Sequence, residues 1–287
     1  MRWVTAVGAW GDSFVAFGTA RAMLAAESVR EFGVVHYGFD PSISAFLALQ
    51  EGVAAIKHVR PENQAAYRYA LSLLGNPTIA LADYADILLA GTGLEPSQVL
   101  RTHVYHLNHR QAVHRWHSPI LPQRALVWAK NFVERTCEGL PFVLLHPYST
   151  QSSAIAGHWP YWQEALLWLC SVAEEQGVKL LWTGMESPFE LRAPCLVNAL
   201  RLTPSMLEVF ALQRLARLTI STTNGLAHWA VMDACPTIAC CNNHMLPTDR
   251  HVFKRWIDHR AVTQVEYTDR LSRFQALVCN ALTERPE

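Results

Sequence analysis

The stretch RWVTAVGAWGDSFVAFGTARAML, Arg2 to Leu24, reads as a short apolar strand, a glycine turn and a helix in direct succession. Residues 2–7 form the strand candidate, Gly8 and Gly11 supply the turn, and the helical pattern runs over 13–29. Asp12 stands after two glycines and a tryptophan, at the mouth of that helix. A structural turn uses glycine and a capping Asp or Ser at such a place. A nucleotide-binding or catalytic loop uses the same residues, so the rest of the chain has to decide between them.

The same unit recurs. Strand candidates follow at 32–38 (FGVVHYG), 54–59, 78–83, 142–148 (FVLLHPY), 178–184, 196–200, 218–222 and 237–243. Helical patterns lie between them at 41–50, 64–74, 160–176, 204–215 and 225–234. Strands alternating with helices predict parallel sheets covered on both faces, an α/β architecture. The series breaks around 118–141, which predicts one Rossmann-like domain over 1–134 and a second over 140–265. The remaining helix, within 266–287, is expected to pack back across the junction. Open parallel sheets bind ligands at the carboxyl ends of their strands. Two such domains facing across a cleft would place Asp12 on its wall.

Bulk properties narrow the function classes. The chain has 287 residues, zero formal net charge and a sequence pI of about 7.2. Neutrality argues against a protein held to nucleic acid by a basic surface. Arginine outnumbers lysine 20 to 4, a bias better explained by genome composition than by phosphate recognition. Seven cysteines, most of them in apolar contexts and none in CxxC spacing, predict reduced, buried thiols. No leader-like pattern opens the sequence and no run of about 18 apolar residues occurs. A cytoplasmic protein is expected, meeting any membrane partner at its surface.

Two further stretches carry polar groups at strand ends. HPYSTQSSAIAGHWPYWQEAL, 146–166, offers Ser149, Thr150, Ser152 and Ser153 before a helix with Pro160 in its first turn, as an anion site or a solvated loop would. ISTTNGLAHWAVMDACPTIA, 220–239, ends a strand in STTNG and puts His228 in the next helix's first turn. Helix N-termini favour phosphate, but the same composition serves as an ordinary cap. A third cluster, His103, His106, His109, His114 and His117, lacks any Cys or acid among its members, so no metal is expected there. With Arg110 and Arg115 it reads instead as a face for an anionic acceptor.

GAWGD, HPYST…HWPYW and STTNGLAH, in this order over roughly residues 1–245, resemble the signature of the family 9 glycosyltransferases, the heptosyltransferase-like enzymes. The resemblance implies a GT-B fold, a nucleotide-diphosphate sugar held mainly by the second domain, an acceptor at the first, inversion at the anomeric carbon, and no metal or other cofactor. It makes Asp12 the general base, flanked on the acceptor side by Gly11 and Ser13. It places Ser149, Thr150, Asn224, Gly225 and His228 at the diphosphate, Thr223 among the residues near the donor sugar, Glu186 at the ribose and Met206 at the base. Two positions depart from the pattern: Gly157 and His158 stand where a cation commonly precedes Trp-Pro, and Thr223 replaces an acid. A changed donor is one reading of this paired loss, and a nucleotide-sugar-binding protein without turnover is the other. A dinucleotide-dependent oxidoreductase ranks below both, because GAWGDS lacks full G-x-G-x-x-G spacing. A glycolipid or glycan is the expected acceptor, with a protein side chain or a hydroxylated nucleobase left open.

Overall fold

The computed structural model describes residues 1–75, 85–100, 119–148, 159–184, 191–200, 202–203, 205–222, 224–233, 235–241 and 265–283. The chain divides into two compact units, Met1–Ile120 and Leu121–Glu287.

In the first unit, β1 (Arg2–Val7), β2 (Phe32–Tyr37), β3 (Val53–Val59) and β4 (Val99–Leu100) form a parallel sheet in the order β3-β2-β1-β4. Its helices are α1 (Trp10–Ala26), α2 (Pro41–Leu47), α3 (Gln64–Gly75) and the short α4 (Ala85–Leu88). All six residues of β2 are buried, as expected for a parallel strand covered on both faces. Asp40 caps α2 by accepting from Ser42 N at 2.9 Å, and Pro41 occupies the first helical position, where its missing N–H costs nothing. Trp10, Phe14 and Phe46 meet with ring centroids 5.5–5.7 Å apart. The strand expected at 78–83 lies outside the described residues.

The second unit starts with α5 (Gln123–Cys137) and continues through β5 (Phe142–His146), α6 (Trp162–Gln176), β6 (Lys179–Trp182), β7 (Leu196–Asn198) and α7 (Met206–Leu215). It ends with β8 (Leu218–Thr222), α8 (Gly225–Asp233), β9 (Thr237–Cys240), β10 (Val265–Thr268) and α9 (Leu271–Thr283). The sheet is parallel in the order β10-β9-β8-β5-β6-β7. Numbered within the unit this is 3-2-1-4-5-6, the doubly wound order, whose strand sequence reverses between β5 and β8. The first unit repeats its opening, reversing between β1 and β4.

Three expectations shift. The division falls at Ile120/Leu121 rather than near 134, because α5 packs on α7 of the second unit through its Ala125, Ala129 and Phe132 face. The final helix α9 packs on α6 and the β9–β10 edge of its own unit. There Arg217 donates to the Ala281 and Leu282 carbonyls at 3.3 and 2.6 Å, a cation at a helix C-terminus. Finally, α6 begins at Trp162, leaving Pro160 in the preceding turn. The tryptophans of HWPYW are core: Trp159 lies 5.0 Å edge-on to Trp162 and 5.3 Å from Phe274, and both indoles are buried.

Candidate active site

At the carboxyl end of the first sheet the chain leaves β1 through Gly8, whose φ of 119° is closed to other residues. Gly8 N donates to the Tyr37 carbonyl at 3.3 Å, tying the turn to β2. Helix α1 starts at Trp10, three residues earlier than the sequence pattern indicates. Its first helical bond runs from Ser13 N to the Ala9 carbonyl at 2.9 Å. Asp12 is therefore the third residue of the helix and not its cap. The Asp12 side chain lies outside the described residues. Gly11 is the second helical residue and half-buried, while Ser13 is buried and donates its hydroxyl to the Gly8 carbonyl at 3.4 Å.

A polar cluster surrounds this turn that the sequence reading did not single out. His36, near the end of β2, is fully buried, with Nδ1 2.7 Å from Ser44 Oγ. His58 stacks on it from β3, with centroids 5.2 Å apart, and its Nε2 is 2.9 Å from the Gly38 carbonyl. Burial first, then the neighbouring His58, lowers the His36 pKa to about 4 against the pull of the Gly8 carbonyl and Asp40. Asp40 also accepts from the Trp10 indole at 3.1 Å, so the α2 cap is bonded to the first residue of α1. The available signal was a histidine interrupting the apolar run FGVVHY at its carboxyl end.

The second unit brings two loops to its reversal point. β5 ends in His146, whose Nδ1 lies 3.1 Å from Thr183 Oγ1 and whose pKa burial lowers to about 4. Beside it on β8, in register with His146, stands Ser221, fully buried. After β8, Asn224 caps α8: its Oδ1 accepts from Leu226 N at 2.9 Å, and its carbonyl accepts from the amides of Ala227 and His228 at 3.1 and 3.3 Å. Its Nδ2 is buried with no hydrogen-bond partner among the described residues. Gly225 opens the helix, and His228, in its first turn, has a pKa lowered to about 4 by burial. Met206 opens α7, half-buried, behind the cap Ser205, which accepts from Leu207 N and donates to Glu208.

Of the expected site residues, the structure thus puts Asn224, Gly225 and His228 together at the start of α8, and Gly11 and Ser13 with the Asp12 backbone at the start of α1. Met206 stands at the start of a different helix. Ser149, Thr150, Glu186, Thr223, Arg110 and Arg115 lie outside the described residues, as do Gly157 and the histidines between 103 and 117. Among the described residues, no three His, Cys, Asp or Glu groups are placed to hold a metal ion. No described helix is long and apolar enough to cross a membrane.

No protein-family model and no curated protein matches the chain by sequence. Solved structures do. The ADP-heptose LPS heptosyltransferase II of E. coli is similar at TM-score 0.62 and 13% identity, over 98% of both chains. A family 9 glycosyl transferase from Veillonella parvula is similar at TM-score 0.63 and 9% identity, over 97% of this chain and 88% of its own. The E. coli heptosyltransferase WaaC, solved with ADP-2-deoxy-2-fluoro heptose, is similar at 0.54 and 14% over 98% of both. These likenesses span both units, in agreement with the sheet orders derived above. The chain has the two-unit, Rossmann-like GT-B fold of the heptosyltransferases and family 9 glycosyltransferases that its motifs resemble.

Proposed function

We propose that the protein is an inverting, metal-independent glycosyltransferase. It moves a sugar from a nucleoside-diphosphate donor to an acceptor hydroxyl, with Asp12 as general base. The observation that carries this reading is positional. GAWGD leaves β1 at the point where the first sheet reverses, and HPYST and STTNG leave β5 and β8 at the corresponding point of the second. Those are the places where open parallel sheets take ligands.

The acceptor oxygen attacks C1 of the sugar and loses its proton to Asp12 as the bond forms. The bond from C1 to the diphosphate oxygen breaks on the opposite face, and the diphosphate leaves with the electron pair. That growing charge is met by the N-terminus of α8, by the Asn224 amide and by His228, a neutral donor at pH 7. The loop with Ser149 and Thr150 completes the cradle, with Glu186 at the ribose and Met206 at the base. The donors named in the solved heptosyltransferase structures make an ADP-sugar the first candidate.

A thermal-shift titration with ADP, UDP, GDP, CDP and NAD, each with and without EDTA, tests donor binding. One diphosphate should stabilise the protein regardless of EDTA, while a response to NAD alone would overturn the proposal. Asp12→Asn should keep that shift and lose turnover on a nucleotide-sugar panel; surviving turnover would remove Asp12 as base. A second reading, a binder without turnover, is favoured by Gly157 and Thr223, and binding without product by the wild type across the panel would select it.

A further inference from the structure

We propose that His36 is a positioning residue for the Gly8–Asp12 turn, its Nε2–H directed to the Gly8 carbonyl while Ser44 holds Nδ1. The inference takes its catalytic meaning from the proposed role of Asp12. His36 is 0% exposed, and a buried imidazole is costly unless its nitrogens find partners. Nδ1 has one, the Ser44 hydroxyl. Nε2 has no hydrogen-bond partner among the described residues, yet it and the Gly8 carbonyl flank the same point beside Gly38. A methyl on Gly38 would stand 2.8 Å from Nε2 and 3.2 Å from that oxygen.

The ring is neutral near pH 7, so one nitrogen donates and the other accepts. If Nδ1 carried the proton, the Nε2 lone pair would face a carbonyl oxygen in a dry interior. With the proton on Nε2, Ser44 donates to Nδ1 and the Gly8 carbonyl across the point beside Gly38 is an acceptor for the N–H, so no lone pair is set against another. The Gly8 oxygen has two lone pairs and Ser13 Oγ uses one. Held from both sides, the Gly8–Ala9 peptide plane is fixed, and with it the first turn of α1 that carries Asp12. His58 covers the ring from β3 and Asp40 faces it from the α2 cap.

Two measurements on the full chain decide the matter. Long-range ¹⁵N NMR of ring-labelled histidine at pH 7 should show His36 as the Nε2–H tautomer; the Nδ1–H tautomer would overturn the proposal. Hydrogen exchange of the peptide covering residues 8–13 should then separate two variants of similar size. His36→Gln puts an amide nitrogen near the Nε2 position and should exchange within about twofold of wild type. His36→Asn puts it near Nδ1 and should exchange about tenfold faster or more, as expected when a buried acceptor loses its donor. Equal effects would reduce His36 to packing. If either variant fails to fold, the wild-type tautomer still decides. Neither readout depends on turnover, so an inactive protein would sink the proposed function and leave this inference standing.

Discussion

Gly184 follows β6 with φ +94°, pressed against the start of the β5 loop. A Cβ added there would stand 2.7 Å from the Tyr148 carbonyl oxygen and 3.0 Å from Cε1 and Nε2 of His146. Gly177, at the end of α6, also has positive φ, +63°, but a Cβ there would meet nothing within 4 Å. The two alanine substitutions therefore separate backbone strain from collision. Gly177→Ala should cost about 1–2 kcal/mol, the left-handed penalty alone. Gly184→Ala carries about 1–3 kcal/mol of backbone strain and about 1–3 kcal/mol more for overpacking against rigid backbone. Urea titration of both, compared at equal m, should put the Gly184 variant at least about 1 kcal/mol below the other. Tyr148 adjoins the loop proposed to hold the diphosphate, so the Gly184 variant should also show a smaller ADP thermal shift. Equal losses of stability would refute the reasoning, because the contact would then have yielded freely.

Acid should weaken the fold. The pKa values of His36 and His146 are lowered to about 4 when folded, against 6.5 unperturbed, so the unfolded chain binds more protons between those limits. Their contribution is complete above pH 6.5 and is lost as pH falls towards 4, about 3 kcal/mol for each residue. Denaturation at stepped pH should show this slope, and His146→Gln should reduce it by one residue's share, leaving that of His36. Arg214→Met should cost about 3 kcal/mol in chemical denaturation. Asp233, whose side chain is 4% exposed, loses a bidentate partner at 2.5 and 2.9 Å and keeps the Trp229 indole; a loss under about 1 kcal/mol would mean a pair of surface strength. Of the seven free thiols only Cys279 is exposed, so an aromatic disulfide reagent should modify one thiol quickly in the native protein. A second fast thiol would contradict the described burial.

The fold was legible where long apolar strands alternate with helices, because buried parallel strands need no polar face. It was less legible at β4, two residues long, and at β10, whose VEYT sequence is half polar and reads as the approach to α9. The boundary was misplaced because amphipathic α5 announces that it packs but not on what. Asp12 was read as preceding a helix because Gly11 looked like a breaker. In a helix's first turn, where backbone N–H groups lack intrahelical partners, glycine interrupts little. HWPYW was read as the opening of a helix after a polar loop, yet α6 starts only at Trp162 and Trp159 buries against Phe274 of α9, a contact remote in sequence. His36 escaped notice because a lone histidine at a strand's end carries no motif, and His146, though it opens HPYST, was given no role of its own.

Asn224 divides one amide in two: its oxygen secures the first turn of α8, and its nitrogen has no partner among the described residues. That division restricts which residues the position tolerates. Serine, threonine and aspartate would all keep the helix end, since each can cap it. None supplies an amide nitrogen, and aspartate would present negative charge to an anionic ligand. A screen that scores only folding would therefore accept several residues at 224, whereas one that scores diphosphate binding should return asparagine. The distance between those two tolerated sets measures how far this helix start exists to hold a ligand rather than to hold itself.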